Sequence, residues 1–166
     1  MMGMLGNSAV GCASASLVLS IVSIALPFWY YYEPVLAAGK TYYGLWTLCV
    51  SYDLTGAECA SIVTVPDYFP AVRALEILGL LLVAGAGVIG ALKLSAMKEN
   101  HIVPLVAGGL AIVAGVFMII GAIVFGVKTP GLEAKGATLH AGFALAILSG
   151  VVAFGAGGLF IASKSN

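Results

Sequence analysis

Four stretches of this chain stay apolar for long enough to cross a bilayer, and no other feature restricts its fold so strongly. Residues 8–28, 102–127 and 137–163 contain no Asp, Glu, Lys or Arg, and residues 71–92 contain only Arg73 and Glu76, both near the start. A hydrocarbon core takes about 20 residues of helix. Backbone groups in lipid must be paired within the segment, so each stretch reads as a helix rather than a lone strand. Composition agrees: 8% of residues are charged and mean hydropathy is +1.11, where a soluble domain carries roughly 25% charge. The expected fold class is an all-α membrane protein, a single domain over 1–166 built as a four-helix bundle. Residues 8–28 lack a basic leader and run on into "FWYYY", so they read as a retained helix rather than a signal peptide.

The charges exclude several functions. Net charge is zero and no basic run exists, which argues against nucleic-acid binding. A proton-carrying span needs a carboxylate near mid-membrane; Glu76 reads as lying by the outer end of its helix, and Glu133 lies in a loop. His101 lies in the middle loop and His140 near the outer start of the last span, and no His/Cys/Asp cluster has metal-ligand spacing. No nucleophile has a base beside it. The expectation is no enzyme, no metal and no cofactor.

The loops are 29–70, 93–101 and 128–136, with a tail at 164–166. Lys93, Lys98 and Lys164 fall on one side, and Lys40, Arg73, Lys128 and Lys135 on the other, so positive-inside counting decides nothing. Cys49 and Cys59 both lie in the long loop. A disulfide there requires an oxidising compartment, which places that loop outside and the termini in the cytoplasm; two free thiols in a cytosolic loop are the competing reading. Cys12, inside the first span, reads as a small packing residue.

Glycine is abundant, at 22 residues, and falls mostly in the spans. Small residues spaced four apart let helices approach closely in lipid. Gly87/Ala91, Ala107/Ala111/Gly115, Gly142/Ala146/Gly150 and Ala153/Gly157 fit a tight bundle within one chain, with contacts between chains as the alternative.

The long loop is rich in strand formers. "KTYYGLWTLCVSY" is aromatic and β-branched, and "DLTG" (residues 53–56) has the Asp and Gly of a type I turn. The stretch reads as a hairpin with Cys49 and Cys59 facing across it, in a register the sequence leaves open. Trp29 and Tyr30 to Tyr32 stand where the first span leaves the bilayer, as an aromatic belt would. Trp46, mid-loop, is expected to pack the sheet onto the helix ends.

Taken in order, Trp29, Gly44-Leu45-Trp46, Cys49, Cys59 and Arg73 resemble the W…GLW…C…C…R signature of the claudins and their peripheral-myelin, epithelial-membrane and lens-fibre relatives. "PAVRALEILG" resembles the start of that family's second helix. "LEAKGATLHAGFALA" resembles its second outer loop, with Phe143 where Trp is usual. The resemblance implies a left-handed four-transmembrane-helix bundle with a small extracellular antiparallel β-sheet. It also implies structural roles for the signature: a Cys49–Cys59 disulfide clamps the sheet, the tryptophans seat it, and Arg73 braces it from below.

The function expected on that basis is a plasma-membrane protein of cell–cell junctions, with the lipid bilayer as its medium, self-associating in cis and trans into a barrier or paracellular pore. The alternatives are an auxiliary subunit of an ion channel or other membrane complex, and an adhesive, architectural protein without a pore. Candidate interaction or pore-lining residues are Glu33, Lys40, Asp53, Glu58 and Asp67 in the first loop, and Thr129, Glu133 and Lys135 in the second. Acidic residues outnumber basic ones four to one from Glu33 to Asp67, which leans towards cations.

Overall fold

The computed structural model describes residues 2–33, 39–52, 56–96, 100–129 and 138–164. Helix α1 (Met2–Ala25) leads into strands β1 (Tyr30–Tyr32), β2 (Lys40–Tyr43), β3 (Thr47–Tyr52) and β4 (Gly56–Ser61). Helices α2 (Phe69–Ser95) and α3 (Val103–Lys128) follow, then β5 (Thr138–Leu139) and α4 (Ala141–Ala162). All four helices are long and apolar enough to span a membrane.

The helix ends have local causes. Helix α1 stops at Ala25, short of residue 28, because Pro27 has no N–H to continue the ladder; the Leu26 N–H to Val22 carbonyl bond is the last of its kind there. Proline opens both α2 and α3, where its missing donor costs nothing. Helix α4 begins at Ala141 rather than 137, because Thr138 and Leu139 join the sheet.

Inside the bundle, α1 packs on α2 and α4, and α3 packs on α2 and α4. Buried residues of α2 are Phe69, Val72, Glu76, Gly79, Val83, Ala86 and Gly90. That spacing averages about 3.5 residues, the repeat of helices that supercoil left-handedly. Between α3 and α4 the backbones approach most closely at glycines. A Cβ on Gly115 would lie 2.8 Å from the Gly150 carbonyl oxygen, and one on Gly157 would lie 2.9 Å from that of Gly108. The spacing of small residues did predict close approach, and the partners turn out to be paired glycines within the chain.

The sheet is antiparallel, in the order β4-β3-β2-β1-β5. It sits at one end of the bundle, joined through a second core of Trp29, Leu45, Phe69, Val72, Ala122, Phe125 and Ala146. The turn expected at "DLTG" falls on 53–55, outside the described residues. Cys49 pairs with Cys59 across β3 and β4, and the two form a disulfide.

Candidate functional site

The joint between sheet and bundle gathers most of the signature residues. The Gly44 N–H donates to the Thr47 carbonyl (2.8 Å), closing the tight connection from β2 to β3. Gly44 is buried, and a Cβ there would meet the Pro27 Cα at 2.6 Å and the Leu26 oxygen at 2.7 Å. Glycine is needed here because two backbones touch. That contact drives Leu45, fully buried, into the top of the bundle.

Arg73, in the second turn of α2, secures the same connection from the helix side. Its Nε and Nη2 both donate to the Leu45 carbonyl, at 2.8 and 2.6 Å. Its guanidinium lies 4.5 Å from the centre of the Trp46 ring, a cation–π distance. The two tryptophans differ from expectation. Trp46 is 41% exposed and caps Arg73, while Leu45 fills the seat meant for it. Trp29 is fully buried rather than set in an interfacial belt. Its Nε1 donates to the Ser23 carbonyl (2.8 Å), and its ring lies edge-on to Phe125 at 4.8 Å. The expected belt tyrosines are strand residues: Tyr30 stacks on Tyr43 at 4.6 Å. Burial, then the neighbouring Tyr43 and Tyr68, push the Tyr30 phenol up in pKa.

The candidate interaction residues are spread out. Glu33 and Lys40 pair with each other at 2.8 Å, so their charges largely cancel; Glu33 also holds the Lys40 ammonium above its ordinary pKa. Glu58, in mid-β4, and Asp67 are exposed. Thr129 is half-buried, its hydroxyl donating to the Phe125 carbonyl (2.6 Å) and lying 3.1 Å from the Tyr68 hydroxyl, so it braces the helix end. Asp53, Glu133 and Lys135 lie outside the described residues. Strand β4 is exposed at all six residues and forms one edge of the sheet. Among the described residues no group of His, Cys, Asp and Glu is placed to hold a metal.

Sequence reasoning missed a polar stripe inside the bundle. Ser16, Ser20 and Ser23 of α1, Ser149 of α4 and Glu76 of α2 are all fully buried. Ser16 donates to the Ser149 carbonyl (2.8 Å), and Ser23 to that of Gly142 (2.7 Å). Glu76 is the eighth residue of α2, about 10 Å inside the helix start at 1.5 Å per residue, and faces α3 rather than the bilayer surface. The 3.5-residue repeat of small and branched residues through Val72, Gly79 and Val83 was the signal that placed it inside.

A profile of the PMP-22/EMP/MP20/Claudin family matches residues 2–160, spanning the bundle, the sheet and the joint between them. The chain belongs to this family. No curated protein matches it. As a claudin-like membrane protein it carries the ordered residues of its signature on one structural unit: the disulfide closes the β3–β4 hairpin, and Gly44, Leu45 and Arg73 lock the hairpin to the helices.

Proposed function

We propose that this claudin-like protein works at cell–cell contacts, associating side by side and across the gap through its sheet into a barrier or paracellular pore. The observation that carries the reading is β4. It is a fully exposed edge strand held rigid by the Cys49–Cys59 bridge, and an unpaired edge is a template for another chain. The bridge also supports an oxidising compartment for the sheet, hence a plasma-membrane location with cytoplasmic termini. Because Lys40 offsets Glu33, Glu58 and Asp67 supply the acidic character among the described loop residues, and they favour cations.

The test is expression in cells that lack junctions. Continuous strands at contacts in freeze-fracture images support the proposal. Diffuse surface staining with one co-purifying channel overturns it in favour of an auxiliary subunit. Paired membranes without altered ion permeability overturn the pore and favour an architectural protein.

A further inference from the structure

Glu76 is a full-length acidic side chain in the interior of a membrane-embedded bundle. It is entirely buried, and among the described residues neither of its oxygens has a hydrogen-bond partner. Gly121 of α3 makes the room it occupies, since a Cβ there would lie 2.9 Å from Oε1. The Ser20 hydroxyl of α1 is also buried without a partner. Val10 lies beside Gly90 and Ala13 beside Gly87, and this antiparallel register brings Ser20 to within about a turn of Glu76.

The surroundings offer no compensating charge. Gly121 of α3 lies against Glu76, and the other buried residues towards this end of the bundle, Ser20 and Ser23 of α1, Ala122 of α3, and Ala146 and Ser149 of α4, are all uncharged. At the sheet end, the Tyr68 hydroxyl is engaged with Thr129, Tyr30 is stacked on Tyr43, and the His140 ring lies among Phe28, Tyr31 and Tyr42. Lys128 is exposed at the end of α3. An ionised carboxylate in such a place is strongly disfavoured, so the stable form is the neutral acid. The nearest cation along the chain is Arg73, three residues earlier on α2, a spacing at which helical side chains are neighbours. Arg73 is spent on the Leu45 carbonyl.

We propose that Glu76 is an internal proton-binding site, and that loss of its proton draws the Arg73 guanidinium away from the Leu45 carbonyl, loosening the sheet from the bundle. The O–H bond of the acid breaks, the proton passes to water at the sheet end, and the carboxylate left behind takes Arg73 as its counter-ion.

The test uses the purified full-length protein in lipid nanodiscs and does not depend on any role at junctions. Infrared spectra at neutral pH should contain a protonated-carboxyl carbonyl band that Glu76→Gln removes. Raising the pH should abolish that band in the wild type and, over the same range, shift the tryptophan emission as Arg73 leaves Trp46. Glu76→Gln should lack the emission shift, and Trp46→Phe should lose it while keeping the band and its pH dependence. Glu76→Met, which fills the same space without a proton, should lack the emission shift as well. Absence of a band removable by Glu76→Gln overturns the proton site. An emission shift that persists in Glu76→Gln or Glu76→Met overturns the link to Arg73.

Discussion

Leu45 is buried because Gly44 lets the strand connection touch the end of α1, and because Arg73 holds its carbonyl from α2. Truncating Leu45 to Ala should cost about 2–5 kcal/mol, the usual range for a filled site that cannot collapse, measured as a lowered midpoint of thermal unfolding in detergent. Gly44→Ala should be at least as damaging to folding yield, since its Cβ has backbone on the other side. The two tryptophans should part company. Trp29→Ala removes a fully buried ring and its bond to the Ser23 carbonyl and should cost about 3–5 kcal/mol, seen as a lowered unfolding midpoint in detergent. Trp46→Phe, at a half-exposed position, should unfold at nearly the wild-type midpoint. The sequence marked both as signature residues. It did not separate them, because burial depends on which of Leu45 and Trp46 points into the bundle.

At the level of elements, the facing helices α3 and α4 test what glycine is for. Gly115→Ala or Gly150→Ala places a methyl against the opposing backbone, at 2.8 or 3.2 Å from a carbonyl oxygen. Each should lower stability by about 1–3 kcal/mol, the cost of overpacking. Gly109→Ala and Gly155→Ala, where a Cβ meets open space within the chain, should fold as the wild type does, by the same melting assay. The hairpin of β3 and β4 makes a different prediction. Thiol titration of the denatured, unreduced protein should find one thiol per chain, Cys12, and three after reduction. A bridge closing a loop of this length, with a sequence separation of 10, should contribute about 2–3 kcal/mol by chain entropy. The helices were legible in the sequence because lipid permits few alternatives. Strand β5 was not, because two residues carry too little pattern and owe their pairing to β1.

For the whole molecule, sheet and bundle form one unit because Trp29, Leu45 and Phe125 share a core that belongs to neither alone. Breaking the Cys49–Cys59 bridge should therefore act beyond the hairpin: a Cys49→Ser, Cys59→Ser double variant should lower the thermal unfolding midpoint of the whole chain in detergent. The sequence by itself determined the medium, the number of spans, the strand character of the long loop and the family signature. Each of these follows from local composition or from an ordered set of residues, and none requires knowing which side chains meet. Only the tertiary structure decided that Trp29 is core and Trp46 is a lid on Arg73, that Lys40 neutralises Glu33, and that Glu76 is enclosed. Those outcomes depend on which side chains meet: Trp29 and Phe125, Trp46 and Arg73, and Glu76 and Gly121 are far apart in the chain, while Glu33 and Lys40 meet because β1 pairs with β2. A carboxyl near the end of an apolar run looks like an interface residue until it is seen fully buried against Gly121 of α3.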